Sequence, residues 1–144
     1  MRPQIIKLFE FDKQLVAKVT AIREKLISGD VSHKLCIHTR RGDFVGVEGE
    51  SKTEEINKAH SISKVYYIVD LNLTRGEELN FAQQICDSYL DTADLSSFAA
   101  WMGYLMPEDR PIFYIRRNRR RITRETLIML PKSWIPIDES WLKD

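Results

Sequence analysis

From Asp12 to Ser28 the apolar residues Leu15, Val16, Val19, Ile22, Leu26 and Ile27 recur at helical spacing among polar positions. Asp12 is placed to cap the first turn and Gly29 to end the last, so the spacing predicts an amphipathic helix. Lys34 to Thr39 is a short run of strand formers closed by Arg40-Arg41-Gly42-Asp43, the pattern of a strand giving way to a turn. Ser51-Lys52-Thr53-Glu54 fits a capping box and predicts a helix reaching about His60. Val65 to Val69 is unbroken apolar sequence, expected of a strand covered on both faces. After the break at Thr74-Arg75-Gly76, Glu77 to Tyr89 predicts a helix with Leu79, Ala82, Ile85, Cys86 and Tyr89 on its inner face. Ser96 to Met106 predicts a third, mostly buried helix, capped by Ser96 or Ser97 and stopped by Pro107, and Pro111 to Ile115 another strand. Strands alternating with helices point to an α/β layered sheet with right-handed crossovers.

Composition narrows the class without changing this outline. At 144 residues, 43% apolar and 30% charged, the chain is one folded domain, and disordered and collagen-like classes are excluded. Twenty-two basic against 21 acidic residues give a formal charge of +1, which supplies no global field toward nucleic acid or membrane. Six arginines, 116, 117, 119, 120, 121 and 124, are nonetheless gathered in one stretch, so the remainder of the chain is acidic. Cys36 and Cys86 each lie in an apolar run and read as two small buried hydrophobes rather than a disulfide framework, leaving the redox compartment open. No run of 18 apolar residues and no signal-like N-terminus occurs, so the chain as written predicts no membrane segment and a cytoplasmic location. Trp101, Trp134 and Trp141 read as core.

The candidate chemistry centres on His38-Thr39-Arg40-Arg41-Gly42-Asp43-Phe44, at the end of a strand. Open α/β sheets bind ligands at the carboxyl ends of their strands. Two adjacent guanidiniums there match phosphate oxygens bidentately, and a diphosphate-bearing substrate is the natural partner. The alternative is solvated arginines, or arginines paired with Asp43, Glu48 or Glu50. Ser96-Ser97-Phe98 is a second anion site if its hydroxyls and first-turn amides face a ligand, and plain capping if they do not. Arg41-Gly42-Asp43 also matches a cell-adhesion tripeptide, short enough to arise by chance. The arginine cluster reads as a solvated loop, since no aromatic stacking platform accompanies it, and no nucleic-acid partner is expected. His33, His38 and His60 lack metal-ligand spacing, so no metal is expected. A nucleophile-elbow serine, a phosphate-binding P-loop and a dinucleotide-binding glycine fingerprint are missing. Asn72-Leu73-Thr74 is an N-glycosylation triplet, relevant only to a chain in the secretory pathway.

Three blocks in order carry a resemblance. His38-Thr39-Arg40-Arg41-Gly42-Asp43-Phe44-Val45 resembles the HxRRGD(F/Y)V signature of α-1,2-fucosyltransferases, glycosyltransferase family 11. Gly76 to Ala82, Cys86-Asp87 and the segment Ser96 to Pro107 are similar to the family's helix, its Cys-Asp or Cys-Asn pair, and its STF-x-x-W-x-x-Y-L-x-P stretch. Leu130 to Pro136 is similar to the closing LP-x-W segment, and the blocks look closest to a divergent nematode branch.

The resemblance implies a Rossmann-like open parallel sheet, the C-terminal, donor-binding half of a GT-B glycosyltransferase that transfers fucose from GDP-fucose to a β-galactoside with inversion and without a metal. It implies that Arg40 and Arg41 hold the phosphates, that His38 and Asp43 shape the loop and position the sugar, and that Ser96, Ser97 and Phe98 line the phosphate side. Arg40, Arg41 and Asp43 would then be the catalytic set and GDP-fucose the donor, with no other cofactor and a glycan acceptor that the residues do not specify. Family members work at the Golgi membrane or in its lumen. On this reading residues 1–144 form a single truncated domain: a helical N-terminal region (1–30), the family-like segment (31–137) and a tail (138–144). One β-α unit is expected to be missing between His60 and Val65, and Asp91, Asp94 and Leu95 replace apolar or small residues, placing acid near a diphosphate. A catalytically inactive nucleotide-sugar-binding or interaction module, or a nonfunctional fragment, is the alternative to a working transferase.

Overall fold

Four parallel strands in the order β1-β2-β3-β4 form the sheet of the computed structural model, which describes residues 2–40, 51, 66–93, 96–116, 130–138 and 140. The elements are α1 (Arg2–Leu8), α2 (Lys13–Ile27), β1 (Leu35–His38), a 3-10 turn (Val69–Leu71), α3 (Arg75–Ile85), β2 (Ser88–Asp91), α4 (Ser97–Leu105), β3 (Ile112–Arg116) and β4 (Ile135–Asp138). The fold is therefore an α/β, Rossmann-like open parallel sheet.

Strand alternation sorts the core into two faces. Cys36, Tyr89, Ile112 and Tyr114 join Ala82, Met102, Met106 and Trp134 under α3 and α4, while Leu35, Ile37, Leu90, Phe113, Ile115 and Ile137 cluster on the other side. Outside α3 lies a further layer, α2, where Val19 packs with Phe81 and Ile85, bordered by Leu15, Ile22 and Leu26. Local caps explain the helix starts. The Asp12 carboxylate accepts from the Gln14 and Leu15 amides, and Gly29 leaves α2 at φ +74°. At α3 a full capping box joins Thr74 and Glu77. A hydrogen bond from Lys18 and another from the Thr74 amide hold the Glu77 carboxyl below the usual carboxylate range and tie α2 to α3.

Several expectations are corrected. The strand expected at Val65 to Val69 is not present in its described part, where 66–68 are irregular and Val69–Leu71 make a single turn. Its residues serve the helical layer instead: Ile68 packs beside Phe81, and the Tyr66 hydroxyl donates to Asp30 at 3.0 Å. The helix expected to reach Tyr89 ends at Ile85. Long-range partners stop it: Arg110 donates to the Gln83 and Cys86 carbonyls at 2.9 and 2.6 Å, and Asp87 accepts from the Lys34 amide at 2.8 Å. The chain then turns into β2, whose Tyr89 hydroxyl donates to the Ala99 carbonyl. β4 was not expected, because Pro136 breaks its apolar run; no further strand pairs with it among the described residues, an edge position where a proline is tolerated. Trp134 is core, but Trp101 is 40% exposed and stacks on Phe9, with ring centroids 4.8 Å apart. Most consequentially, Cys36 and Cys86 are joined as a disulfide, with Cα atoms 5.5 Å apart. The helix expected at 52–60, the missing β-α unit at 61–65, Asp94, Leu95 and Trp141 lie outside the described residues.

Gly103 shows how closely α4 lies on the sheet. A methyl group there would stand 2.7 Å from two ring atoms of the buried Trp134 and 3.2 Å from Ile112. Alanine raises helix propensity by about 1 kcal/mol, but overpacking a filled site costs roughly 1–3 kcal/mol. Gly103→Ala is expected to lower stability by about 1 kcal/mol in urea denaturation; an unchanged or higher midpoint would show that Trp134 moves aside freely.

Candidate functional site

β1 and β2 end side by side, with His38 and Asp91 in register as neighbours at the carboxyl edge of the sheet. Just beyond this edge the chain is stapled. The Ser51 amide donates to the Arg40 carbonyl at 2.9 Å, and the Arg40 amide donates back to the Ser51 hydroxyl at 2.7 Å. The Thr92 hydroxyl lies 2.7 Å from both the His38 carbonyl and the Ser51 hydroxyl. A carbonyl only accepts, so the Thr92 proton goes to His38 and Ser51 supplies the proton between the two hydroxyls. Ser51 and Thr92 are both buried, and this ordered network fixes the backbone of Arg40 where the strand ends.

His38 points toward α4, its ring 5.7 Å from that of Phe98. Burial, and then the neighbouring Arg40 guanidinium, push its pKa down to about 4, so the imidazole is neutral at neutral pH. Its Nε2 is buried and makes no hydrogen bond among the described residues. Phe98 is shared with a second cation, because the Arg75 guanidinium lies over its ring at 5.5 Å from the centroid. Arg75 opens α3, and the pattern of the sequence marked it only as part of a chain break. A helix-opening arginine followed by glycine gives no local sign of its target, which comes from the packing of α3 against α4. Glu78, one turn further along, is raised by burial and lowered by Arg75, the first effect winning.

The sequence candidates divide accordingly. His38, Arg40 and Phe98 come together. Ser96 caps α4, its hydroxyl accepting from the Ala99 amide at 3.2 Å, so that hydroxyl serves the helix; Ser97 is exposed in the first turn. Arg41 and Asp43 lie outside the described residues, as does most of the basic cluster. Arg116, its first member, forms a bidentate pair with Asp138 at 2.8 and 2.9 Å. The buried Asp91 accepts from the Ala93 amide at 2.8 Å and so holds the turn that follows β2.

Comparison with family models, curated proteins and solved structures finds no match to this chain. The chemistry rests on the residues themselves. Two guanidiniums from different elements, a neutral imidazole, an aromatic ring and the N-terminal turn of α4 meet at the carboxyl edge of a parallel sheet. That set suits a planar or ring-bearing ligand carrying an anionic group. No group of three or more His, Cys, Asp or Glu able to hold a metal is present among the described residues. No helix among them is long and apolar enough to cross a membrane. The cleft bordered by Arg2, Glu108, Arg110 and Trp134 lies at the opposite edge of the sheet, and its arginines are engaged: Arg2 binds the Tyr104 and Met106 carbonyls and Glu108.

Proposed function

We propose that this carboxyl edge of the sheet binds the diphosphate of a nucleotide sugar, GDP-fucose, and that the chain is the donor-binding part of an α-1,2-fucosyltransferase-like protein. The observation that carries the reading is Arg40, its backbone locked by Ser51 at the carboxyl end of β1, beside the His38–Phe98–Arg75 group. Its support from sequence is the ordered set of blocks beginning at His38-Thr39-Arg40-Arg41-Gly42-Asp43. Arg40 and Arg41 hold phosphate oxygens, and Arg75, over the Phe98 ring, supplies a further cation beside them. Neutral His38 offers a polar contact without adding charge, and its low pKa makes it a poor base for an acceptor hydroxyl. In transfer, an acceptor oxygen bonds to C1 of fucose while the bond from C1 to the diphosphate oxygen breaks. The guanidiniums stabilise the charge that develops on the departing diphosphate, and the acceptor's proton leaves to a base.

Thermal unfolding with GDP-fucose tests the reading. Ligand at a hundred times its dissociation constant stabilises the native state by about 2.7 kcal/mol. Arg40→Ala is expected to weaken binding about 10- to 100-fold, the loss of a charge-assisted contact of roughly 1.5–3 kcal/mol, read as the ligand-induced shift of each protein relative to its own ligand-free midpoint. Absence of any shift at millimolar ligand, or an identical shift in the variant, defeats the proposal. Binding without transfer of labelled fucose to a β-galactoside identifies an inactive donor-binding module.

A further inference from the structure

We infer that Asn72 is an N-linked glycosylation site. Asn72-Leu73-Thr74 is the sole Asn-X-Ser/Thr triplet in the sequence, with leucine rather than proline in the middle. Two independent structural observations turn this short pattern into a site. The first is the Cys36–Cys86 disulfide, a bond that forms and persists in oxidising compartments and is rare in the cytosol. The compartment that makes the bond is the one in which the triplet is modified.

The second is local geometry. Asn72 ends the Val69–Leu71 turn in the left-handed conformation, φ 48° and ψ 43°, which asparagine tolerates better than most residues, and its side chain is exposed. Leu73 turns inward to the α2–α3 cluster, and Thr74 is exposed again at the start of α3. Asn72 and Thr74 are thus both exposed residues, the Thr74 hydroxyl also accepting from the Glu77 amide, with the apolar residue between them anchoring the turn. A glycan here also stands in the segment that exposes Tyr67 and Val69, at 64% and 76%, and would cover apolar surface that the fold leaves open.

The co-reactant is a lipid-linked diphospho-oligosaccharide. The Asn72 Nδ2 bonds to C1 of the first sugar, the bond from C1 to the diphosphate oxygen breaks, the lipid diphosphate leaves, and the amide gives up one proton to the transferring enzyme's base. This inference is independent of what the β1–β2 edge binds.

The full chain, led into the secretory pathway of a eukaryotic cell by a cleavable leader, is expected to carry one glycan removed by peptide-N-glycosidase. Asn72→Gln abolishes the mass shift, and Thr74→Ser retains it because serine keeps both the hydroxyl and the helix cap. Non-reducing mass analysis of the same samples reports the Cys36–Cys86 bond, and the Asn72→Gln chain is expected to keep it. Secreted protein that holds the disulfide but shows no glycosidase-sensitive mass, or a glycan that persists in Asn72→Gln, overturns the assignment.

Discussion

Reducing the Cys36–Cys86 bond is expected to destabilise the protein by about 4 kcal/mol, the largest single effect the fold predicts. The bond links residues 50 apart in sequence, and closing a loop of that length removes roughly 4 kcal/mol of chain entropy from the unfolded state. It joins the helix-facing side of β1 to the end of α3, inside the cluster formed by Tyr89, Met102 and Trp134. The reduced thiols remain small buried hydrophobes, so the native packing persists and the loss comes chiefly from the freed unfolded chain. For a chain of this size the midpoint should fall by roughly 12–16 °C. The measurement is thermal unfolding with and without reductant, set beside a Cys36→Ala/Cys86→Ala variant. The variant should melt near the reduced protein and ignore reductant. Equal midpoints for the reduced and oxidised protein would remove the disulfide from the stability of the fold.

That bond also marks where the sequence stops being informative. The starts of α2 and α4 were legible because their caps are local: Asp12 and Ser96 each stand within three residues of the amides they bind. β1 and β3 were legible as apolar runs bounded by turn residues. β2 was lost because Tyr89 continues the 3.6-residue period of α3, and only Arg110 and Lys34, distant in the chain, end that helix. The disulfide escaped for the same reason, since two cysteines in apolar runs look alike whether they are packed or bonded. In the candidate site His38, Arg40 and Phe98 could be read from a strand end and a helix start. Arg75 could not, because its place over Phe98 depends on how α3 meets α4. Ser51 was read only as a cap for a helix outside the described residues, and its bond to Arg40 is visible only once β1 and β2 are paired.

Acidification from pH 6.5 to 4 is expected to cost about 3 kcal/mol through His38 alone. The folded protein keeps this imidazole neutral, because burial and the Arg40 guanidinium disfavour the imidazolium, and its pKa falls from 6.5 to about 4. The unfolded chain takes up the proton near pH 6.5. Below that value the unfolded state therefore binds more protons than the native state, and stability declines as pH falls. The decline levels off near pH 4, where the folded protein protonates His38 as well. Roughly two and a half pH units at about 1.36 kcal/mol each give the magnitude. Asp30 and Glu77, both held below the usual carboxylate range by hydrogen bonds, lose their stabilising effect only as pH falls below about 4.5. Glu78, raised by burial, acts in the opposite sense over this range, so the histidine's share is the difference between the wild type and His38→Gln in urea denaturation from pH 6.5 to 4.5, and the variant should lose the decline. A variant with the wild-type slope would assign the acid sensitivity to another group. The same titration connects the residue to the proposed ligand: a diphosphate seated against His38 favours the imidazolium and raises its pKa. Saturating GDP-fucose should then recover part of the acid loss in the wild type and none in His38→Gln.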